Sequence, residues 1–146
     1  MEESPAYRFK VSLRLRHPES DLSSCSTEFA LEPFRQWTIG HGRTSPRGVS
    51  LDGKWDHSYW TAPLEISPGE DLETSLARTA HWLAGRAPFL AAHQASGGSV
   101  GLFVGLFLEG FNSGFTLEPS LLAQYASLGV ALEFDVYGPD DSPGAP

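Results

Sequence analysis

A chain of 146 residues with 40% hydrophobic and 12% aromatic residues is one domain's worth of protein, able to bury about 70% of the surface its unfolded form exposes, and its composition excludes a disordered polymer. Its formal charge of −8 makes it a poor counterion for a phosphate backbone, so duplex nucleic acid is not an expected partner. The single cysteine, Cys25, excludes an intrachain disulfide and a cysteine-based zinc site.

The charge is uneven. Up to Trp60 there are eight Lys/Arg against eight Asp/Glu, and beyond it two against ten. The opening "MEESPAYRFK" has no apolar stretch of the secretory kind, and the longest apolar run, "VGLFVGLFL", is too short to span a bilayer. A cytoplasmic location and no membrane partner are the expectation.

In chain order, "YRFKVSLRLRH" alternates strictly, with Tyr7, Phe9, Val11, Leu13 and Leu15 on one side and Arg8, Lys10, Ser12, Arg14 and Arg16 on the other. That is the pattern of a half-buried strand. Asp21 is placed to cap a short helix running to about Phe29. The stretch from Glu32 to Gly53 has no periodicity. About twenty irregular residues inside a compact domain usually mean a functional loop or an unrecognised element.

Asp52-Gly53 reads as a hairpin turn. The strand expected after it points Trp60, Leu64 and Ile66 one way and Trp55, His57 and Tyr59 the other. A long helix follows, with Ser67 and Glu70 in capping-box spacing and Leu72, Leu76, Ala80 and Leu83 on one face. Gly85 and Pro88 interrupt it and Gly97-Gly98 ends it. "SVGLFVGLFLE" is apolar on both sides and suits a central strand. "PSLLAQYASLG" is a helix with Pro119 at its first position and Gly129 as its stop. "GVALEFDVYG" alternates again, with Val130, Leu132, Phe134 and Val136 inward and Glu133, Asp135 and Tyr137 outward, where the acids are natural partners for the first strand's bases.

The order predicts an α+β two-layer sandwich: a mixed or mostly antiparallel sheet of four to five strands with helices on one face. Residues 1–137 form the domain, and 138–146, without an apolar anchor, form a flexible C-terminal tail.

"LEPFRQWTIG", the "RTSPRG" and "SYW" that follow, and "GFTLEPSLLAQYASLGVALEFDVYG" resemble the bacterial proteins catalogued as domain of unknown function 4279. Leu31, Glu32, Pro33, Trp37, Gly40, Tyr59, Trp60, Pro119, Leu128, Gly129, Asp135 and Tyr137 occupy that pattern's places, and Glu118 stands where a capping serine is expected. The resemblance covers nearly the whole chain to Tyr137. It implies the fold and assigns no activity.

Three tryptophans fall between Trp37 and Trp60. They exceed what a monomer exposes in one patch, and Trp60, alternating with Leu64 and Ile66, is the core candidate. The opposite side of the sheet gathers Trp55, His57 and Tyr59 with Arg8, Lys10, Arg14, Arg16, Phe103, Phe107, Glu133, Asp135 and Tyr137, and Gly101 and Gly105 leave space between them. Three readings stay open: a solvated ladder of salt bridges, a ligand or partner surface, and a homodimer face. An RNA-like stacking platform is a weaker fourth, because "GLFVGLF" lacks a leading base and the charge is adverse.

His41, Arg43, Asp52, Asp56 and His57 are of the right types for metal binding or acid–base work. No HxH or HExxH spacing supports this, and a regular strand would turn Asp56 and His57 to opposite faces. His81 and His93 read as surface or boundary residues. No nucleotide-binding glycine motif is complete, so no cofactor or metal is expected.

The leading expectation is therefore a non-catalytic binding module that uses Arg14, Trp37, Arg43, Trp55, His57, Tyr59 and Asp135. Trp37 docks the loop, Gly40 and Gly42 permit its turn, and Arg43 or Trp55 lies at a rim. Its partner is a protein or a small anionic or aromatic ligand. The alternative is a small enzyme with a His/Asp/Arg pocket.

Overall fold

Alternation decides the architecture. A computed structural model describes residues 7–139. In it the first alternating run forms β1 (Tyr7–His17), and α1 (Cys25–Phe29), β2 (Arg35–Trp37), β3 (Gly42–Thr44), β4 (Ser50–Lys54) and β5 (Ser58–Leu64) follow. Then come α2 (Leu72–Ala84), α3 (Ala87–Ala95), β6 (Ser99–Leu108), α4 (Pro119–Leu128) and β7 (Val130–Tyr137). Five strands make one mixed sheet in the order β2-β5-β1-β6-β7, and β3 and β4 make a separate hairpin. Only β6 and β7 run parallel, because α4 carries the chain back between them; the other neighbours are antiparallel. The helices pack on one face. The α+β expectation holds, with the sheet at its larger strand number.

Register fixes the faces. Leu13 lies opposite Ala62 and Leu102, and Leu15 opposite Trp60 and Val100, so one face of three strands meets the buried stripe Leu72, Leu76, Ala80 and Leu83 of α2. Trp60 is fully buried there, its Nε1 donating to Ser26 Oγ at 3.0 Å and its ring 5.7 Å from Phe29. The Tyr125 hydroxyl of α4 donates to the Leu76 carbonyl and ties the two helices together. Phe134 and Val136 share the helix-side face, yet both are exposed, because the helices stop short of this end of β7.

Several local expectations are corrected. Asp71, not Ser67, caps α2, its carboxylate accepting from the Thr74 N–H at 2.8 Å; Ser67 and Glu70 close the turn before it. Asp21 accepts from the Ser23 N–H and holds the turn ahead of α1, which has no side-chain cap. Asp52-Gly53 is not the hairpin turn. Ser45-Pro46-Arg47-Gly48 is, with the Gly48 N–H donating to the Ser45 carbonyl and Gly48 at φ +84°, while Gly53 sits within β4 beside an irregularity in the ladder. Proline suits the second position of such a turn and glycine the fourth, so the signal lies in the sequence with its central pair, Pro46-Arg47, six residues upstream of Asp52-Gly53. The apparently irregular stretch is thus an edge strand and a hairpin, each too short to show a period. Residues 138 and 139 have no regular structure, and the rest of the expected tail lies outside the described residues.

Candidate functional site

The site grows from the sheet's free edge. β2 pairs with β5 so that Arg35 faces Thr61 and Trp37 faces Tyr59, which puts Arg35 and Trp37 on the side away from the helices. Gly40, at φ +83°, then turns the chain outward; Gly42 needs no such conformation and belongs to β3. The hairpin's base is closed by Gly40 N–H to the Trp55 carbonyl at 2.8 Å and Trp55 N–H to the His41 carbonyl at 2.9 Å.

That closure lays the Trp55 ring parallel on Trp37, with centroids 3.9 Å apart and planes 6° from parallel. Tyr59 lies 4.5 Å from the same Trp37 ring and His57 meets it edge-on at 5.6 Å. Two rings this close do not fit on one face, so Trp55 and Tyr59 occupy both faces of Trp37. Arginines close the ends of the column: Arg43 stands 5.5 Å from Trp55 and Arg16 5.0 Å from Tyr59. Arg35, 5.1 Å from Trp37, donates to the Thr44 carbonyl at 2.8 Å and pins the hairpin. Each arginine–indole contact is worth about 0.5 to 2 kcal/mol by burial.

Every residue of β3 and β4 is exposed. Between Gly42 and Lys54 there are three bases, Arg43, Arg47 and Lys54, against one acid, Asp52, a cationic projection on an acidic protein. Arg43 also donates to the Asp52 carbonyl at 3.2 Å. A cleft of about 310 Å³ at the hairpin's base is lined by Gln36, Trp37, Thr38, His41, Thr44 and Trp55.

The same sheet face continues through β1, β6 and β7. Arg14 lies 3.8 Å from the centre of the Phe103 ring and pairs with Glu133 at 3.2 Å; Glu133 also approaches Arg16 at 3.8 Å. Gly101 does not leave empty space. A Cβ there would stand 2.6 Å from Glu133 Oε1, so the missing side chain is the room the carboxylate occupies on its way to Arg14. At Gly105 a Cβ would make only ordinary contact with the Phe107 and Phe103 rings, at 3.5 to 4.0 Å. Phe107 is in turn stacked on Tyr137 at 5.0 Å.

Arg14, Trp37, Arg43, Trp55, His57 and Tyr59 therefore fall along one strip. Asp135 does not. It sits on β7, with β1 and β6 between it and β5, and accepts the Tyr137 hydroxyl; that hydrogen bond and the nearby charge push the Tyr137 phenol up. Asp56 and His57 also differ from expectation. They precede the regular strand, so Asp56 Oδ1 meets His57 Nδ1 at 2.6 Å, and His57 holds the Asp56 carboxyl below its usual range. Arg35, one of three arginines that fall among the tryptophans in sequence, joins this strip opposite Thr61, and alternation could not place it because β2 has three residues; Thr61 follows Tyr59 on the same face of β5. Three polar atoms on this strip, Arg14 Nε, Trp37 Nε1 and Thr61 Oγ1, are buried without a hydrogen-bond partner among the described residues.

Two other places gather side chains capable of chemistry or binding. His17 and His93 are both buried, their rings 5.5 Å apart, which corrects the surface reading of His93. His17 Nε2 lies 2.9 Å from Ser96 Oγ, which suggests a nucleophile and its base. The wiring is wrong for that. His17 Nδ1 accepts the N–H groups of Glu19 and Ser20, so in a neutral ring Nε2 carries the proton and donates to Ser96. Cys25, in the same region, is fully buried, and burial pushes its thiol up to about 12, which disfavours the reactive thiolate.

His93 carries a pH prediction. Burial lowers its pKa from 6.5, so the unfolded chain takes up a proton more readily than the folded one. The stability tied to neutral His93 is complete above about pH 6.5 and is lost as pH falls below it toward the folded value. The unfolding free energy from urea titration should fall between pH 7 and 5, by at most about 1.4 kcal/mol per pH unit, and His93→Asn should flatten that slope. An identical slope in the variant would assign the effect elsewhere.

A larger groove of about 760 Å³ opens on the helix side, with Phe29, Leu31, Pro63, Leu64 and Trp82 among its lining. Its two arginines are engaged within the protein: Arg78 is held by both oxygens of Glu70, and Arg86 lies against Trp82 and donates to the Glu28 carbonyl. Among the described residues, no group of three or more His, Cys, Asp or Glu is placed to hold a metal ion, and no helix is long and apolar enough to cross a membrane.

Fold and site together define a two-layer α+β protein with an arginine-capped aromatic column at one sheet edge. The chain belongs to the family described as Domain of unknown function (DUF4279), whose model matches residues 6–139. No curated protein and no solved structure matches it.

Proposed function

We propose that this chain is a non-catalytic binding module whose β3–β4 hairpin and adjoining arginine strip hold an anionic partner, either an acidic protein surface or a small anionic ligand, in the cytoplasm. One observation carries the reading: the hairpin gives no side chain to the core, yet it is fastened to the sheet by a parallel indole pair and a guanidinium. A two-stranded hairpin is marginal by itself in water, so fastening an exposed cationic one serves presentation rather than packing. The partner is anionic rather than aromatic because the rings are already engaged: Trp37 between Trp55 and Tyr59, Phe103 under Arg14, Phe107 on Tyr137. The same engagement argues against base stacking.

A poly-glutamate peptide is the probe. Binding should weaken steeply with salt, as exposed charge contacts do. Arg43→Ala with Arg47→Ala should lower affinity by about tenfold or more at low salt, a loss of about 1.4 kcal/mol, while stability stays within about 0.5 kcal/mol of wild type. Equal binding by both proteins would overturn the reading. The second reading, a small enzyme, draws on the Asp56–His57 contact. A metal titration with an activity screen, repeated on His57→Ala, distinguishes it: tight stoichiometric metal or His57-dependent turnover would favour the enzyme.

A further inference from the structure

The two edges of the sheet are treated differently. The β2 edge is three residues long, preceded by Pro33 and flanked by the hairpin, which are ordinary ways of blunting an edge. The β7 edge is eight residues long, with no proline, glycine or lysine. Its only sheet neighbour is β6, so every other residue turns its N–H and C=O toward a side with no strand among the described residues.

Its side chains divide by face. On the helix side Phe134 and Val136 are 38% and 56% exposed, and Phe134 is extended by Phe115, stacked on it at 5.8 Å. Phe111, in the loop from β6 to α4, is 99% exposed. On the other face stand Glu133, Asp135 and Tyr137.

We infer that the β7 edge is a strand-addition site for an extended segment of another protein that alternates basic and apolar residues. Apolar side chains of the added strand cover Phe134 and Val136, and its bases stand beside Asp135, while Glu133 stays turned inward onto Arg14 and Arg16. A second copy of this chain does not fit. In a symmetric antiparallel pair centred on 133, Glu133 opposes Glu133; centred on 134, Glu133 opposes Asp135; centred on 135, Asp135 opposes Asp135. The registers centred on 134 and 135 thus bring the Asp135 carboxylate against another carboxylate, which is destabilising, and in every register two chains of −8 repel. The acids reject the self-pairing an open edge invites and select a basic strand.

The probe is a blocked nine-residue peptide alternating lysine and valine, added to the full chain and followed by amide hydrogen exchange. Alternate β7 amides should gain protection, with affinity falling as salt rises. Asp135→Lys should weaken binding by about three- to tenfold, and a glutamate–valine peptide should leave the β7 amides unchanged. Protection at other strands, equal effects of both peptides, or a wild-type dimer with protected β7 amides would overturn the inference. Failure here leaves the hairpin reading intact, because that reading is tested with a probe of opposite charge.

Discussion

Replacing Trp60 with alanine is expected to remove about 3 to 5 kcal/mol of stability, a large share of the roughly 5 to 15 kcal/mol available to a domain. The indole is fully buried at the junction of β5, α1 and the helix layer. It lies opposite Leu15 on β1, and its ring stands 5.7 Å from Phe29. Truncation leaves a void at that junction and strands the Ser26 hydroxyl that accepts its N–H. Trp60→Phe, which keeps much of the ring volume and loses the hydrogen bond, should cost about 1 to 2 kcal/mol. Urea unfolding with an unchanged m-value measures both. A cost under about 1 kcal/mol for the alanine variant would mean that Trp60 is not a keystone of the core.

Trp37→Ala should produce a second large effect, mostly local. Trp37 is half-buried and supports the hairpin through the Trp55 stack, so its loss should lower global stability by about 2 to 3 kcal/mol. It should also release the amides of β3 and β4 to exchange at nearly unprotected rates. Arg35 cannot hold the hairpin alone, because its hydrogen bond to the Thr44 carbonyl is exposed. Poly-glutamate binding should fall with the hairpin's order even though Arg43, Arg47 and Lys54 are untouched. Arg43→Ala is the contrast: it should leave exchange intact and stability within about 0.5 kcal/mol, since Arg43 is exposed. If Trp37→Ala leaves hairpin protection unchanged, the anchor lies elsewhere and the division into anchor and presenting surface fails.

The legible parts of this protein were those with a period. β1 and β7 repeat every two residues, and their inward and outward sets appear in the structure on the sides that alternation assigns. The parts that escaped were short or discontinuous. Three residues of β2 show no alternation, and the β3–β4 hairpin has no buried face to make a pattern. The helix-side groove is assembled from residues between Phe29 and Arg86, a separation local reading does not bridge. The site was partly legible for a related reason: Tyr59 lies next to Trp60 on β5, so its face followed from burying Trp60, whereas Trp55 and His57 precede the strand and their positions did not follow from it. Nor did the stacking on Trp37.

By itself the sequence determined the α+β class, the burial of Trp60, the Gly129 stop of α4 and the sheet face that carries arginines and aromatics, because these follow from periodicity, backbone stereochemistry and the cost of leaving apolar area in water. Only the tertiary structure decided which side chains on that face meet. It set Glu133 over Gly101 against Arg14, left Asp135 two strands away from β1, paired Trp37 with Trp55, and turned His17 Nε2 into a donor toward Ser96. These outcomes depend on strand order, on register and on a parallel crossover through α4. Such choices are made by non-local packing, where each pairing is stabilised only once the others are in place.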